Sequence, residues 1–247
     1  MDEWRLIEFG VVDIKYMMAM NEAILRRAPT NTVFFWTPLK SIILGFFQRA
    51  SVELNLDRCK DYTIVRRISG GGIAFSDDHG RQINYGVVGE IDGARFPLDI
   101  IDSYHAICNV FIEVLKDYDM DAGFRPINDI VVSGRKISGN AQTRRGSRLL
   151  QNGTLLLDFD VSEMVRVLNV PSEKYSDKLV NSVEEGLTWM DKELGYPVRI
   201  DDVKKKIITK FEERFDITLK PTTPTPNEAE LGDELFEKYS SPKWNFK

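Results

Sequence analysis

The stretch NDIVVSGRKISGNAQTRRGSRLLQNGTLLLD, residues 128–158, organises the predicted fold. Its β-branched start predicts a strand at Asp129–Val132, and the Ser-Gly pair at residues 133–134 is typical of a tight hairpin turn. Alternation along the returning strand predicts that Lys136 and Ser138 share one face of the hairpin. A leucine run near the end of the stretch predicts a further, buried strand.

The same stretch is basic although the chain is acidic overall. No acidic residue lies between Asp129 and Asp158, while the chain carries a net charge of −5. A local basic cluster in an acidic protein predicts a site that gathers negative charge. A solvated loop explains the arginines of residues 144–148 equally well, whereas Lys136 lies in the hairpin between small residues and is predicted to be functional. The cluster consists of Arg135, Lys136, Arg144, Arg145 and Arg148.

A second informative stretch, YTIVRRISGGGIAFSDD, spans residues 62–78. A short strand is predicted at residues 63–65, followed by Arg66, Arg67 and a glycine triplet at residues 70–72. Successive glycines favour a turn with positive φ or a backbone that approaches a ligand closely. With two guanidinium groups beside it, such a turn can bind an anion, in particular a phosphate. An ordinary hairpin turn with two solvated arginines is the alternative.

The remaining sequence predicts an α+β protein with a mixed, largely antiparallel sheet or sheets flanked by helices. The pattern favours this class because several early strands are separated by short turns. The strand at residues 83–90 is expected to run beside the glycine turn, and residues 173–190 are expected to be a polar connection. Further strands are predicted at residues 4–9, 32–36 and 41–47, and helices at residues 14–25, 98–115, 162–168, 201–215 and 228–239.

Composition narrows the class of protein. A chain of 247 residues, 43% hydrophobic and 29% charged, fits an ordinary globular protein, and its negative charge argues against a general nucleic-acid binder. No apolar run approaches the length of a membrane span and no signal peptide is recognisable, so we expect no membrane interaction and a cytoplasmic location. The only histidines, His79 and His105, exclude a histidine-rich metal site.

The glycine triplet matches neither of the commoner nucleotide-binding motifs, since it lacks the GKS or GKT of a P-loop and the spacing GxGxxG. No Ser-His-Asp set accompanies it, and neither Cys59 nor Cys108 lies within either stretch. The remaining groups are backbone amides, arginines and one lysine. They suit a reaction that depends on positioning and on charge stabilisation at a phosphate.

Taken together, four motifs resemble those of lipoate–protein ligases, in that family's order. They are RRISGGG at residues 66–72, NDIV at 128–131, GRKISGNAQ at 134–142 and GTLL at 153–156. The resemblance spans about residues 4–190. The sequences LFEKY at residues 235–239 and WN at 244–245 further resemble the end of the large subunit of the archaeal bipartite ligase.

This resemblance implies a biotin/lipoate protein ligase-like fold and a two-step reaction. Lipoate and ATP, with Mg²⁺, would give lipoyl-AMP, and the lipoyl group would then pass to a lysine of a lipoyl domain. The implied acceptors are the acyltransferase subunit of 2-oxoacid dehydrogenases and the glycine cleavage H protein. A small accessory subunit would be needed for the adenylation step.

The resemblance also implies roles for individual residues. Lys136 would be catalytic, binding the acyl carbonyl and α-phosphate oxygens. Asn128 and Asp129 would orient the adenylate, and Asp129 would also bind Mg²⁺. The residues assigned to the adenylate and the lipoyl chain are Arg67, Ser69, Gly70, Gly71, Gly72, Asn128, Asp129, Ser138, Gly139, Ala141 and Gln142.

The same family suggests an organisation in three parts. Residues 1–219 would form the catalytic domain, and residues 220–226, KPTTPTP, a proline-rich linker or surface crossing. Residues 227–247 would form a C-terminal helix and tail packed on the same domain, with no separate accessory domain.

Two departures from the family keep other functions open. The family usually has a histidine soon after its glycine triplet and another before Gly-Thr-Leu, where this chain has Ser76 and Asn152. One alternative is an octanoyltransferase or lipoyl amidotransferase of the same fold, which resembles this chain but has a nucleophilic cysteine in the loop at residues 123–129, where this chain has none. The other is a catalytically degenerate module that binds lipoyl-adenylate.

Overall fold

A computed structural model describes residues 2–77, 81–170 and 173–247, so that His79 lies outside the described residues. The strands are β1 (Asp2–Val12), β2 (Thr32–Pro38), β3 (Ser41–Leu44), β4 (Thr63–Arg66), β5 (Ala74–Ser76), β6 (Arg81–Glu90), β7 (Ala122–Arg125), β8 (Asp129–Val132), β9 (Arg135–Arg145), β10 (Arg148–Asp158) and β11 (Ile217–Thr222). The helices are α1 (Ile14–Arg27), α2 (Ala50–Glu53), α3 (Ile100–Lys116), α4 (Val161–Val167), α5 (Glu173–Gly186), α6 (Met190–Leu194), α7 (Ile200–Phe215), α8 (Pro226–Ser240) and α9 (Pro242–Asn245).

The strands form two sheets. An eight-stranded sheet has the order β11-β1-β2-β6-β10-β9-β8-β7, and a three-stranded sheet has the order β4-β3-β5. The pairs β1–β11, β1–β2 and β3–β4 are parallel, and the other neighbouring strands are antiparallel. The predicted α+β class, with a mixed and largely antiparallel sheet, is therefore confirmed.

The expected pairing of the strand at residues 83–90 with the glycine turn is wrong. This strand is β6, and it lies between β2 and β10 in the large sheet. This strand of ten residues pairs along most of its length with β10, which has eleven residues. The four-residue β4, which leads into the glycine turn, pairs instead with the four-residue β3.

Helices cover both faces of the large sheet. On one face, α3 and α7 bury an apolar core that includes Cys108, Phe111 and Leu115 of α3. Ile101 is 43% exposed because it lies in the first turn of α3, after the Asp99 N-cap and beyond this core. On the other face, α1 packs on the sheet. Within the described parts of the chain, no helix is long and apolar enough to cross a membrane.

Two segments expected to lack regular structure are in fact regular. Much of residues 173–190 forms the helix α5, which was not predicted because its sequence contains few apolar residues. The first three residues of the proline-rich segment complete β11, where Pro221 is tolerated because β11 is an edge strand. Conversely, the strand predicted at residues 41–47 ends at Leu44, before Gly45.

A buried ion pair fastens α8 to the first strand. The guanidinium of Arg5 donates to both carboxylate oxygens of Glu228 at 2.7 Å, and the side chains are 10% and 0% exposed. Glu228 also closes a capping box with Thr225 at the start of α8. The pair therefore joins β1 to a helix more than 200 residues further along the chain.

Replacing only one partner of this pair leaves a buried charge without compensation. We expect Arg5→Leu to lower the free energy of unfolding by about 3 kcal/mol, measured by urea denaturation. Lys220→Leu is the matched control, because its ion pair with Glu3 is exposed and contributes less than about 1 kcal/mol. Equal effects of the two substitutions would contradict the structural role of Arg5.

A second carboxylate, on α4, makes stability depend on pH. Glu163 accepts hydrogen bonds from Arg166 at 2.6 and 2.7 Å and from the Tyr62 hydroxyl at 2.5 Å. The Arg166 guanidinium, with help from Tyr62, lowers the pKa of Glu163 from 4.5 to about 2. Because the folded state lowers this pKa, the stabilisation is complete above the unfolded value of 4.5 and is lost as the pH falls towards 2.

We expect this carboxylate to account for about 2 kcal/mol of the stability lost between pH 6 and pH 3. Urea denaturation of Glu163→Gln should show a correspondingly weaker loss over that interval. Asp57→Asn serves as the control, since Asp57 pairs with Lys60 at the exposed surface. An unchanged pH profile in Glu163→Gln would show that Glu163 is not the group responsible.

Candidate functional site

A cavity of ≈ 480 Å³ lies between the two sheets, with α4 and α5 at its edge. Its floor is a row of residues that are direct neighbours on consecutive strands of the large sheet. Because directly paired residues project from the same face, the whole row faces the cavity. The row runs across β2, β6, β10, β9 and β8 and consists of Trp36, Asn84, Thr154, Gly139 and Asp129.

Lys136 lies at one end of this row. Its Nζ forms an ion pair with Asp129 Oδ1 at 2.7 Å, and Asp129 Oδ2 accepts from Arg125 at 2.9 Å. A Cβ at Gly139 would lie 2.9 Å from both Nζ and Cε of Lys136. The absence of a side chain at Gly139 therefore lets the lysine fold over β9 and place its ammonium group at the floor of the cavity.

A β-bulge explains why Lys136 faces the cavity and Ser138 does not. The register of β8 against β9 shifts between Ile130 and Val131, which leaves one extra residue on β9. Ile137 and Ser138 are both fully buried, whereas Lys136 lines the cavity together with Gly139. The prediction that Lys136 and Ser138 share a face is therefore wrong, because the bulge interrupts the alternation between them.

The glycine turn forms the opposite wall and is organised by Arg67. The Arg67 guanidinium donates to the carbonyl oxygens of Gly70 and Gly72, both at 2.7 Å, and to Ser69 Oγ at 3.1 Å. Gly71 has a φ of +93°, a conformation that favours glycine. A Cβ at Gly45 would lie 2.0 Å from the Gly71 carbonyl oxygen, so a second glycine is needed for the turn to pack on the end of β3.

Arg67 gives this wall a positive charge. The side chain lines the cavity, and burial lowers the pKa of its guanidinium to about 10, so the group stays charged at neutral pH. The acceptors of its hydrogen bonds are carbonyl and hydroxyl oxygens. Within the described part of the chain this buried cation is bonded only to neutral groups, an arrangement that favours an anionic ligand.

Arg66, the other arginine of the pair, has a different role. It is fully buried and donates to the main-chain oxygens of Gly45, Phe46 and Gln48. The same guanidinium donates to main-chain oxygens of the C-terminal segment, residues 244–247. The expectation that Arg66 contributes to an anion site is wrong, because successive residues of a strand point in opposite directions.

A hydrogen-bond network holds the loop before β8. The buried Tyr85 hydroxyl donates to Asn140 Oδ1, and Asn140 Nδ2 donates to the Asn128 carbonyl at 2.9 Å. The Asn128 side chain donates in return to the Asn140 carbonyl. A Cβ at Gly153 would lie 2.2 Å from Asn140 Oδ1 and 2.3 Å from the Tyr85 ring. The glycine of the GTLL motif therefore makes room for the network that positions Asn128 and its neighbour Asp129.

The structure brings most of the predicted site residues together. Four of them do not line the cavity: Ser69 and Gly70 bind Arg67, while Ser138 is fully buried and Gln142 binds Tyr104 and Ser103 of α3. These four residues support the residues that line the cavity and do not line it themselves. The predicted residues that line the cavity are Arg67, Gly71, Gly72, Asn128, Asp129, Lys136, Gly139 and Ala141.

The apolar part of the cavity was not predicted. Its residues come from several separate elements, and each is an ordinary core residue in its own stretch of sequence. The one signal in the sequence for this part of the cavity was the alternation along β10, which places Asn152 and Thr154 on the face that lines the cavity. The large apolar side chains of the wall are Met18, Trp36, Ile43, Phe75, Leu156, Phe159, Met164, Val183 and Leu187.

The donor groups fit an acyl chain with an anionic head better than they fit a metal ion. Among the described residues, no group of three or more His, Cys, Asp or Glu side chains is placed to share a metal ion. Both oxygens of Asp129 are already engaged with Lys136 and Arg125. The arrangement therefore does not fit a Mg²⁺ ion held by the protein alone, whereas the apolar walls and the cations fit an acyl group with a phosphate.

Neither cysteine of the chain lines the cavity. Cys108 lies on α3, on the other face of the sheet, where it is fully buried and accepts a hydrogen bond from Gln151. Burial raises the pKa of the Cys108 thiol to about 12 and also raises the pKa of Cys59. Since a thiolate is the nucleophilic form, neither residue is suited to attack a substrate in the cavity.

The fold and the site define a protein whose cavity places a lysine and a glycine-rich turn beside apolar walls. Residues 13–212 match the family described as the lipoyl protein ligase A/B catalytic domain, and the chain belongs to this family. The predicted family and its biotin/lipoate ligase-like fold are thereby confirmed.

Known proteins similar to this chain include both ligases and transferases. Octanoyltransferase LipM of Kyrpidia tusciae is 29% identical over 100% of this chain and 100% of its own length. A solved structure from Thermoplasma acidophilum, described as a bi-partite lipoate protein ligase and its E2 lipoyl domain, is 29% identical to this chain. The two structures match with a TM-score of 0.90 over 100% of this chain and 97% of the archaeal chain. A lipoate-protein ligase A bound with ATP is 28% identical, with a TM-score of 0.84 over 99% and 98%.

The contact between Gly139 and Lys136 leads to a test of the site. In Gly139→Ala the added methyl group displaces the flexible end of Lys136, so we expect acyl transfer to slow about tenfold or more while thermal unfolding stays unchanged. Gly123→Ala is the matched control, because a Cβ there meets nothing within 4 Å. Unchanged transfer in Gly139→Ala would show that the position of Lys136 does not matter.

Proposed function

We propose that this chain is the catalytic subunit of a lipoate–protein ligase, which transfers a lipoyl group from lipoyl-AMP to a lysine of a lipoyl domain. The observation that carries the proposal is the composition of the cavity. The cavity has an apolar part beside Lys136 and beside the glycine turn that Arg67 organises, and neither cysteine thiol of the chain lines it. An adenylate donor needs such cations, whereas a thioester intermediate needs a cysteine.

The proposed donor would lie along the row of residues on the cavity floor. Its acyl chain would occupy the apolar chamber beside Trp36 and Phe75, and its phosphate would face Arg67 and the amides of Gly71 and Gly72. Lys136 Nζ would then contact both the acyl carbonyl oxygen and a phosphate oxygen. The ion pair with Asp129 holds this ammonium group in place.

In the transfer step, the neutral amine of the acceptor lysine attacks the acyl carbonyl carbon. The bond between this carbon and the phosphate oxygen breaks, AMP leaves with the electron pair, and the amine releases its proton to solvent. Negative charge builds first on the carbonyl oxygen and then on the departing phosphate. Lys136 stabilises both charges, and Arg67 holds the phosphate, so catalysis depends on charges that are already in position.

Formation of the donor from lipoate and ATP is the second part of the proposal. The similarity to a bi-partite ligase supports a small accessory subunit for this step, and the same structure supports a lipoyl domain as acceptor. The similarity to a ligase bound with ATP supports the nucleotide. Because the protein offers no complete metal site of its own among the described residues, Mg²⁺ would enter as a counterion of ATP.

A second candidate is octanoyl transfer, which the curated relatives favour. Octanoyltransferase LipM is similar over the full length of this chain, at the same identity as the archaeal ligase. Such an enzyme would take its acyl group from a thioester such as octanoyl-acyl-carrier protein. The burial of Cys59 and Cys108 is the observation that ranks this candidate second.

The two candidates differ in the donor that they use. The test offers the chain and a lipoyl domain either lipoyl-AMP or octanoyl-acyl-carrier protein without ATP, and measures the mass of the lipoyl domain. We expect transfer from lipoyl-AMP and none from the carrier protein. The reverse result would establish octanoyl transfer, and transfer from neither donor would leave only a binding module.

Substitutions test which side chains take part in the transfer step. We expect Lys136→Ala to slow transfer from lipoyl-AMP about 100-fold, because one charged donor to the transition state is lost. Lys60→Ala is the matched control, since Lys60 is exposed and pairs with Asp57 at the surface. The double variant Cys59→Ser/Cys108→Ser should keep its transfer activity, and a complete loss in a folded protein would overturn the thiol-free mechanism.

A further inference from the structure

Lys136 lies at the start of β9, beyond the part of this strand that pairs with β10. The ladder between β9 and β10 ends at the pair Ser138–Leu155, so that residues 135–137 extend past it. On the other side of β9, the register against β8 shifts at the bulge between Lys136 and Ser138. Because a bulge disrupts the ladder locally, the main chain of the lysine needs support from the side that β10 leaves open.

The segment that follows α5 supplies this support. Leu187 forms a parallel β-bridge with Lys136, and the Thr188 N–H donates to the Lys136 carbonyl oxygen at 2.8 Å. Leu187 also lines the cavity. The segment thereby takes the place of β10 along the start of β9, and the main chain of Lys136 is held from both sides.

The Thr188 side chain fixes this segment through a carboxylate on α6. Thr188 is fully buried, and its hydroxyl donates to Glu193 Oε1. The same oxygen accepts from Arg135 Nη2 at 2.7 Å, in an ion pair whose carboxylate side chain is 14% exposed. Arg135 directly precedes Lys136 in the chain. A closed ring of contacts therefore joins Lys136, Thr188, Glu193 and Arg135.

The helix α6 anchors this ring to the body of the protein. Met190 on α6 is fully buried in the core that α3 and α7 cover. Asp191, the next residue, forms an ion pair with Arg81 of β6. These contacts hold α6 against the large sheet, so that the Glu193 carboxylate is an acceptor in a fixed position.

The two cations at the start of β9 thus have different tasks. Lys136 lines the cavity, whereas Arg135 lies on the opposite side of the strand and binds Glu193. The basic cluster predicted from the sequence included both residues. The structure pairs Arg135 with a carboxylate of the protein itself, which makes it part of the support of Lys136.

We infer that Thr188, together with Glu193 and Arg135, is a positioning residue for Lys136. It acts on the reaction only through the lysine, by fixing the main chain from which the ammonium group extends into the cavity. The inference rests on the proposed function, in that it takes Lys136 as the group that stabilises the developing charge. It adds the side chains that hold this lysine in place.

A double-mutant cycle tests whether Thr188 acts through Lys136. The single-turnover rate of transfer from lipoyl-AMP to a lipoyl domain is measured for the wild type, Thr188→Val, Lys136→Ala and the double variant. Valine has the shape of threonine without the hydroxyl, so we expect Thr188→Val to slow transfer about tenfold through misplacement of the lysine. In the Lys136→Ala background the same substitution should slow transfer less than about twofold, because no ammonium group is left to misplace.

Three further variants separate positioning from stability. Thr188→Ser keeps the hydroxyl and should retain the wild-type rate within about twofold. Glu193→Gln weakens the bonds to Thr188 and Arg135 without removing bulk, and in the same cycle it should give the same pattern as Thr188→Val. Thr32→Val is the matched control, because Thr32 is also fully buried and its hydroxyl donates to the Thr30 carbonyl at 2.9 Å. It should lower stability in urea denaturation without slowing transfer.

The cycle distinguishes failure of this inference from failure of the proposed function. An equal loss of rate with and without Lys136, or an unchanged rate in both Thr188→Val and Glu193→Gln, overturns the positioning role and leaves the proposed function intact. Absence of transfer from lipoyl-AMP by the wild type overturns the proposed function, and this inference with it. Circular dichroism establishes that each variant is folded.

Discussion

The buried guanidinium of Arg66 is the interaction on which the geometry of the cavity depends. It binds the main chain of residues 45–48 on one side and of residues 244–247 on the other. The Trp244 indole donates back to the Arg66 carbonyl at 2.9 Å. Because Gly45 packs against the Gly71 carbonyl, the loop that Arg66 holds is also the surface on which the glycine turn rests. The C-terminal segment is thus part of the support of the site.

Close approach of backbones and side chains explains the glycines at positions 45, 139 and 153. Gly45 admits the Gly71 carbonyl, Gly139 admits the Lys136 side chain, and Gly153 admits the contact between Tyr85 and Asn140. Of these three, none has a positive φ, so the constraint is space and not backbone conformation. Glycines near a charged residue in a motif therefore mark places where atoms pack closer than a Cβ would allow. In this chain such close packing positions Lys136 and Asn128.

Local patterns predicted the parts of the structure that depend on neighbouring residues. The hairpin around residues 133–134, the helix α3 and the mixed sheet follow from alternation and spacing. Features that depend on distant residues were not predictable in this way. The pairing of β6 with β10, the bulge that turns Lys136 into the cavity and the apolar wall all arise from contacts between separate elements. The different roles of Arg66 and Arg67 depend on which side of β4 each one occupies.

Overall similarity cannot separate a ligase from an octanoyltransferase here, because both kinds of relative are 29% identical over the whole chain. The positions of a few atoms are more informative. A thiol on the far side of the sheet, with its pKa raised to about 12, cannot supply a thiolate to the cavity without a rearrangement of α3. Lys136 and Arg67 both line the cavity, and the adenylate of the proposed function is the donor whose leaving group they would stabilise.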